Sequence, residues 1–454
     1  MRGQWVVQRA RRGFGASTIT APRRAATSCP PCYPSRATIH NSRPTPRLNQ
    51  RSIQRATHLF YPAFKRTLFT TSLPPILIPP TIFLGLLLGL WTWKCFWIVL
   101  LQDKLLYLSW LPPLSRSETI AAYEPECRPV QWTTQQIRSL DGTKLTVCEG
   151  RLPRRQPPKK TVVICYFQGN GGSTPLRLPL LSQTLRALSN APPGSRNPEP
   201  AVEYIITALS YRGYWTSSGR ASQRGIERDA QAFLAWVMQT YAAPDREVRV
   251  VLWGHSLGSA VATTALATYL SNGGTVASTP RMPSSADATV SSASPPPITG
   301  LIMEAPSSSV KEMLISLYPQ KWLPYRYLWP FLWNHWDSVL ALRRMVAWRD
   351  GVAAPGETAR DGEGRDTSDK IRTTRDAETA PLTYQGRRSL PPTLLLTAVD
   401  DEVIPPEAAA QLEAEAQRLG FEMVRTDVPG AMHTEAPVRP AGRRALVEFI
   451  QARS

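Results

Sequence analysis

From Val130 onward, short runs of apolar, β-favouring residues alternate with longer runs of helical periodicity, and this rhythm constrains the fold more than any single motif. "TVVICYF" (161–167), "VEYIITALS" (202–210), "VRVVLWG" (248–254), "TGLIMEAP" (299–306), "PTLLLTAVD" (392–400) and "FEMVRTDVPG" (421–430) read as strands. Continuous apolar runs of this length suit strands buried on both faces. "TKLTVCEG" (143–150) alternates instead and follows Asp141-Gly142, a turn signal, so it reads as a hairpin arm. Helical periodicity fills 227–240, 256–270, 407–419 and 443–452. Strand and helix in alternation predict an α/β fold, a mostly parallel central sheet with helices on both faces. Two insertions break the rhythm. Residues 271–297 are rich in Ser, Pro and Ala and read as a flexible loop. Residues 310–390 begin with the aromatic "LYPQKWLPYRYLWPFLWNHW" (317–336) and continue through a charged, apolar-poor stretch, 349–388, expected to be disordered.

The formal net charge of +19 invites a nucleic-acid reading, which the distribution of charge opposes. No Asp or Glu precedes Asp103, so the excess belongs to a leader of about 75 residues and not to a folded face. That leader, rich in Arg, Ser, Thr and Pro, has the composition of an organelle transit peptide, with "KRTLFTTS" (65–72) as a cleavage region; a disordered basic tail fits equally. The apolar stretch that follows, taken as 76–102, contains about the 20 residues a hydrocarbon core requires. Its one cation, Lys94, lies near an end, and Trp91, Trp93 and Trp97 suit an interfacial belt. A single transmembrane helix is expected. The positive-inside rule puts the N-terminus in the cytosol or matrix and the domain from about 125 to 454 across an endoplasmic-reticulum or mitochondrial membrane. Cys29 and Cys32 form a CxxC without a second pair, and Cys95, Cys127, Cys148 and Cys165 show no framework spacing, so neither a metal site nor a required disulfide is expected.

"VVLWGHSLGSAVATTA" (250–265) closes a strand on Gly-His-Ser-Leu-Gly and opens a helix. The glycines could be turn punctuation. They could equally let the strand bend sharply and hold Ser256 at a helix N-terminus as a nucleophile. A neutral serine needs a base. His40 and His58 lie in the leader, His255 adjoins the serine and should point away from it, and His335 sits in the aromatic insertion. His433, in a loop between the last strand and the last helix, remains. The base needs an orienting acid, which Asp400 or Asp401 can supply directly after a buried strand. Backbone amides at Leu257 and Asn170, the latter in "YFQGNGGS" (166–173), can form an oxyanion hole.

"QGNGG", "SYRGYWTSSGRASQRGIERDAQAFLAWV", "WGHSLGSAVAT", "LIMEAPSSSVKEM", "DDEVIPP" and "MHTE", in this order, resemble the α/β-hydrolase superfamily, and within it the membrane-anchored abhydrolase-domain branch that includes lysophosphatidylserine and monoacylglycerol lipases. The resemblance covers about residues 131–454 outside the insertions. It implies the α/β-hydrolase fold with a lid-type insertion, and it makes Ser256 the nucleophile and His433 the general base. In the family the acid stands four residues before a proline, so Pro405 selects Asp401. Gln168 departs from the His-Gly-Asn common among relatives, which puts loop support and rate in question, and Ala398 replaces a common glycine. No cofactor is implied. The expected substrate is a lipid ester, a lysophospholipid or monoacylglycerol, held under a lid that includes Trp322, Tyr325, Trp329 and Trp333; the aromatic stretch could instead dip into the bilayer or pack on the core. A thioesterase or acyltransferase would use the same triad, and a catalytically silent scaffold at the membrane is the reading from another class. Nothing in the sequence sets the oligomeric state.

Overall fold

A computed structural model of the chain describes residues 74–189, 202–274, 295–352 and 388–454. The leader with His40, His58, Cys29 and Cys32, most of the loop expected at 271–297 and most of the charged stretch 349–388 lie outside the described residues.

Eight strands form one sheet: β1 (Gln131–Arg138), β2 (Lys144–Arg151), β3 (Lys160–Phe167), β4 (Val202–Ser210), β5 (Glu247–His255), β6 (Ile298–Glu304), β7 (Thr393–Ala398) and β8 (Met423–Val428). Their order is β1-β2-β4-β3-β5-β6-β7-β8. The hairpin β1–β2 and the pair β2–β4 are antiparallel, and every other pairing is parallel. The hairpin arm read at 143–150 is thus β2, turned at Asp141-Gly142 onto a partner strand.

The helices are α1 (Ile78–Leu100), α2 (Gln102–Leu106), α3 (Glu124–Cys127), α4 (Leu178–Ser189), α5 (Gln223–Tyr241), α6 (Leu257–Ser271), α7 (Val310–Leu317), α8 (Ser338–Asp350), α9 (Pro406–Arg418) and α10 (Pro440–Gln451). Side chains alternate across each strand, so the central strands feed two separate cores. Val163, Cys165 and Phe167 of β3 pack with Phe233 of α5, Leu266 of α6, Leu342 of α8 and Leu412 of α9. Val162, Ile164 and Tyr166 pack on the opposite face with Leu181 and Leu185 of α4 and Leu446 and Ile450 of α10. Helices cover both faces, as the continuous apolar strands require.

Residues 338–350 fall inside the stretch read as an insertion, yet they form a core helix. Asp337 caps α8 by accepting from the Leu340 amide at 2.8 Å, and Gly351, at φ +69°, ends it in the left-handed region. Leu342 and Met345 are fully buried.

One buried ion pair ties the hairpin to the helical layer. Arg212, following β4, donates to Asp229 of α5 at 2.7 Å, to Asp141 at the β1–β2 turn at 2.8 Å and to Ser139 at 3.0 Å. Good geometry and this number of partners offset the cost of desolvating the guanidinium and the fully buried Asp229.

The helical stretch Pro75–Leu100, 26 residues, is long and apolar enough to cross a membrane. The chain leaving it folds back on the body. Tyr107 is buried, the Leu108 amide donates to Asn170 Oδ1 at 2.7 Å, and the Gly172 amide donates to the Leu111 carbonyl at 2.5 Å.

Candidate active site

The sheet's carboxyl edge gathers the loops that follow β3, β5, β6, β7 and β8. At the end of β5 the backbone turns abruptly, with Ser256 at φ +52°, ψ −119°. A serine there is strained by an amount on the order of 1–3 kcal/mol. The surroundings hold it: its amide donates to the Glu304 carbonyl at 2.8 Å. The flanking glycines are required by contact. A Cβ on Gly254 would lie 2.2 Å from the Gly258 carbonyl oxygen, and one on Gly258 would lie 2.0 Å from that of Phe167. The first turn of α6 therefore lies directly against the end of β3. Leu257 opens α6, so its N–H has no intrahelical acceptor.

His433 and Asp401 meet as the sequence leads one to expect of a base and its acid. His433 Nδ1 lies 2.9 Å from Asp401 Oδ2 and 3.0 Å from Oδ1. Asp401 Oδ1 also accepts from the amides of Val403 and Ile404, each at 2.8 Å. Burial pushes the Asp401 carboxyl up, but the bonds from His433 and the two amides outweigh it, and the net shift is downward. Asp400 is exposed; its amide donates to the Ala431 carbonyl. With Nδ1 held by a carboxylate, Nε2 is the His433 nitrogen left to accept a proton. Its ring packs 5.0 Å, centroid to centroid, from that of His255, the residue before Ser256.

Asn170 follows β3 and is exposed, its Oδ1 committed to the Leu108 amide. Gln168, the departure from the common histidine, is buried: its Oε1 accepts from Thr174 at 2.8 Å and its carbonyl from Tyr211 at 2.9 Å. This loop is thus braced by partners of its own. The four lid candidates separate. Tyr325 is buried beneath Lys94 of α1, whose ammonium sits 4.3 Å from the ring centroid, and Trp322 lies 6.0 Å from Trp91. Trp329 and Trp333 line a cavity of about 1040 Å³ bounded also by α5, α6 and α8. Ser256, Asp401 and His433 are not among its lining residues.

Beneath the turn lies a buried polar group that the sequence reading did not single out. Arg177 donates to His255 Nδ1 at 2.7 Å, and a guanidinium can only donate, so Nδ1 carries the lone pair. The proton then sits on Nε2, which donates to the His433 carbonyl at 3.3 Å. Burial, Arg177 and His433 hold the His255 pKa well below its ordinary value, so it is neutral. Its 3.6 Å approach to Glu304 Oε1 is therefore no ion pair. Glu304 is fully buried, bonded through Oε2 to Trp253 Nε1 at 2.8 Å, while Oε1 has no partner among the described residues. Burial raises its carboxyl to about 7, against the opposing pull of Arg177 and Trp253. The signal in the sequence was a carboxylate closing an apolar strand, "LIME".

A raised acid pKa makes the native state bind its proton more tightly. That stabilisation is complete below the unfolded carboxyl's pKa and is lost as pH rises to about 7, an amount on the order of 3 kcal/mol. Glu304→Gln keeps the acceptor for Trp253 and removes the titration. Denaturation curves between pH 4.5 and 8 should show the variant gaining on the parent as pH rises; parallel curves would contradict the assignment.

A mostly parallel sheet sandwiched by helices, with a serine on a positive-φ strand–helix turn and an Asp–His contact at the same edge, defines an α/β hydrolase. The chain belongs to that family: the model described as "Alpha/beta hydrolase family" matches residues 174–447. It is 25% identical over 340 residues to the alpha/beta hydrolase domain-containing protein WAV2 of Arabidopsis thaliana, covering 74% of this chain and 83% of that one. It is 30% identical over 141 residues to the lysophosphatidylserine lipase ABHD12 of Danio rerio, covering 31% of this chain and 30% of that one. The solved esterase Pf2001 of Pyrococcus furiosus aligns with 73% of this chain and 92% of its own, at 15% identity and a TM-score of 0.40.

Proposed function

We propose that this protein is a membrane-anchored serine hydrolase that cleaves carboxylic esters, principally lipid esters such as lysophospholipids or monoacylglycerols. His433 Nε2 takes the proton of Ser256 as Oγ attacks the ester carbonyl. Asp401 holds the imidazole in the tautomer that leaves Nε2 unprotonated and stabilises the imidazolium that forms. The amides of Leu257 and Asn170 bind the oxyanion, each worth about 3 kcal/mol where such donors have been removed from other enzymes. The alcohol leaves with the proton from His433, and water, activated by the same imidazole, releases the acid and regenerates the serine.

The observation that carries this reading is the carboxylate–imidazole contact packed against the residue preceding a strained serine. Residues 76–102 are read as the span, with the basic leader on the cytosolic or matrix side and the catalytic body opposite. A lipid ester as substrate draws support from that helix and from the relative named as a lysophosphatidylserine lipase.

An active-site-directed fluorophosphonate tests it. The probe should attach to Ser256 in the folded protein, identified by peptide mass spectrometry, and a short-chain ester should protect that site. Absence of labelling, or labelling at another serine, would sink the reading.

A further inference from the structure

The aromatic insertion exposes Trp322, Tyr327, Trp329, Phe331 and Trp333, each between 43% and 69% accessible. Soluble surfaces do not gather five large aromatics within a dozen residues without a partner. The segment is also firmly mounted. Gln102 donates to the Phe331 carbonyl at 3.2 Å and accepts from the Trp333 amide at 3.0 Å. Asp103 accepts from Trp333 Nε1 at 2.9 Å and from Asn334 Nδ2 at 2.6 Å. Buried Trp336 donates to Tyr107 at 2.8 Å. These partners all belong to the chain just after the apolar helix.

The level at which this mount sits follows from helix geometry. Twenty residues from Pro75 to Lys94 rise about 30 Å, the thickness of a hydrocarbon core. Lys94 is the only charge in that helix and so marks the headgroup level. Trp91, three residues earlier, is the residue that Trp322 touches. From Trp91 to Val99 one side of α1 is half-buried by the body, while most residues of the helix before it are exposed. The insertion therefore reaches back along the helix to the plane where a bilayer would begin. Its cations suit that plane: Lys311 lies 4.6 Å from the Trp329 ring centroid and Arg326 5.7 Å from that of Tyr327. Indole and phenol rings flanked by Lys and Arg are the composition of a membrane interface, where rings meet the acyl boundary and cations meet lipid phosphates.

We infer that residues 322–333 form a seat on the bilayer, pressed into the lipid surface of the leaflet on the catalytic side. The body is then held against the membrane at two places, the helix and the seat. The inference rests on α1 spanning a bilayer and is independent of the chemistry at Ser256.

The test uses the full chain reconstituted in phosphatidylcholine vesicles, with Cys29→Ser, Cys32→Ser and Cys95→Ser as background. A nitroxide is placed at Phe331→Cys, and as control at Glu407→Cys, which is exposed on the first turn of α9. Collision with apolar oxygen should exceed collision with a water-soluble nickel chelate severalfold at 331 and not at 407. Equal ratios at the two positions would overturn the seat. So would a label at 331 shielded from both reagents, the result for coverage by a second copy or a protein partner. Tyr327→Ser combined with Phe331→Ser should lower hydrolysis of a bilayer-resident long-chain ester about tenfold and leave a short soluble ester unaffected. Equal loss on both esters would contradict the seat, and failure of the parent to cleave either ester would count against the hydrolase reading alone.

Discussion

Replacing Ser256 with alanine should cut ester turnover by on the order of a million-fold, the scale seen when the nucleophile of a triad enzyme is removed. The residual rate would come from the oxyanion amides, which Ser256→Ala leaves in place. Thermal stability should hardly move, because alanine meets the same positive-φ strain as serine and keeps the hydrogen bond to Glu304, which the Ser256 amide makes and not its hydroxyl. Ser256→Gly sharpens the experiment. Glycine adopts φ +52° without penalty, so this variant should be equally inactive yet more stable by about 1 kcal/mol. Turnover numbers and melting temperatures for the parent and both variants check this. An alanine variant that retains the parent's turnover would remove Ser256 from the chemistry.

Asp401→Asn should lower kcat by about 10⁴ at neutral pH with little change in KM, as for the corresponding change in another triad enzyme. The local bonding explains why so small a change is so damaging. Oδ1 accepts from the amides of Val403 and Ile404 and Oδ2 faces His433 Nδ1. An asparagine must keep its carbonyl oxygen on the two amides, since both are donors. Its NH2 then faces Nδ1 and donates to it. The imidazole is forced into the tautomer with its proton on Nε2, the atom that must be free to accept one. In the parent, the depressed Asp401 pKa keeps the carboxylate ionised through neutral and mildly acidic pH. Its contribution to stability is present above the ordinary carboxyl range and is lost as pH falls through its lowered value. Steady-state kinetics and an acid unfolding series on the two proteins measure both effects. Unchanged kcat in the asparagine variant would return Asp400 to consideration.

Much of the architecture was readable because it depends on local pattern. β3, β4 and β5 are continuous apolar runs, and a strand that closes on Gly254 and reopens as a helix at Leu257 has few other ways to fold. His433 emerged by exclusion among five histidines, and the contact with Asp401 agrees with the spacing to Pro405. What escaped the sequence depends on distant residues. α8 was absorbed into an insertion because Arg343 and Arg344, which lie off its buried face, break the apolar run in the sequence, although Asp337 and Gly351 carried cap signals at both ends. The Arg177–His255–Glu304 group could not be read, since its members come from the turn before α4 and the ends of β5 and β6, and only tertiary packing makes them neighbours. Leu108 and Asn170 lie 62 positions apart and meet through one amide and one side-chain oxygen.

That last contact bears on where the proposed membrane span can be cut away. The stretch from Tyr107 to Leu111, beyond the apolar helix, clamps the loop carrying Asn170 and Gly172, so it would serve the proposed oxyanion loop as well as the proposed span. Protease cleavage or a truncation made beyond Leu111 would discard this clamp along with the hydrophobic tail. Removal of the apolar helix and retention of this clamp are therefore incompatible unless the cut falls before Tyr107.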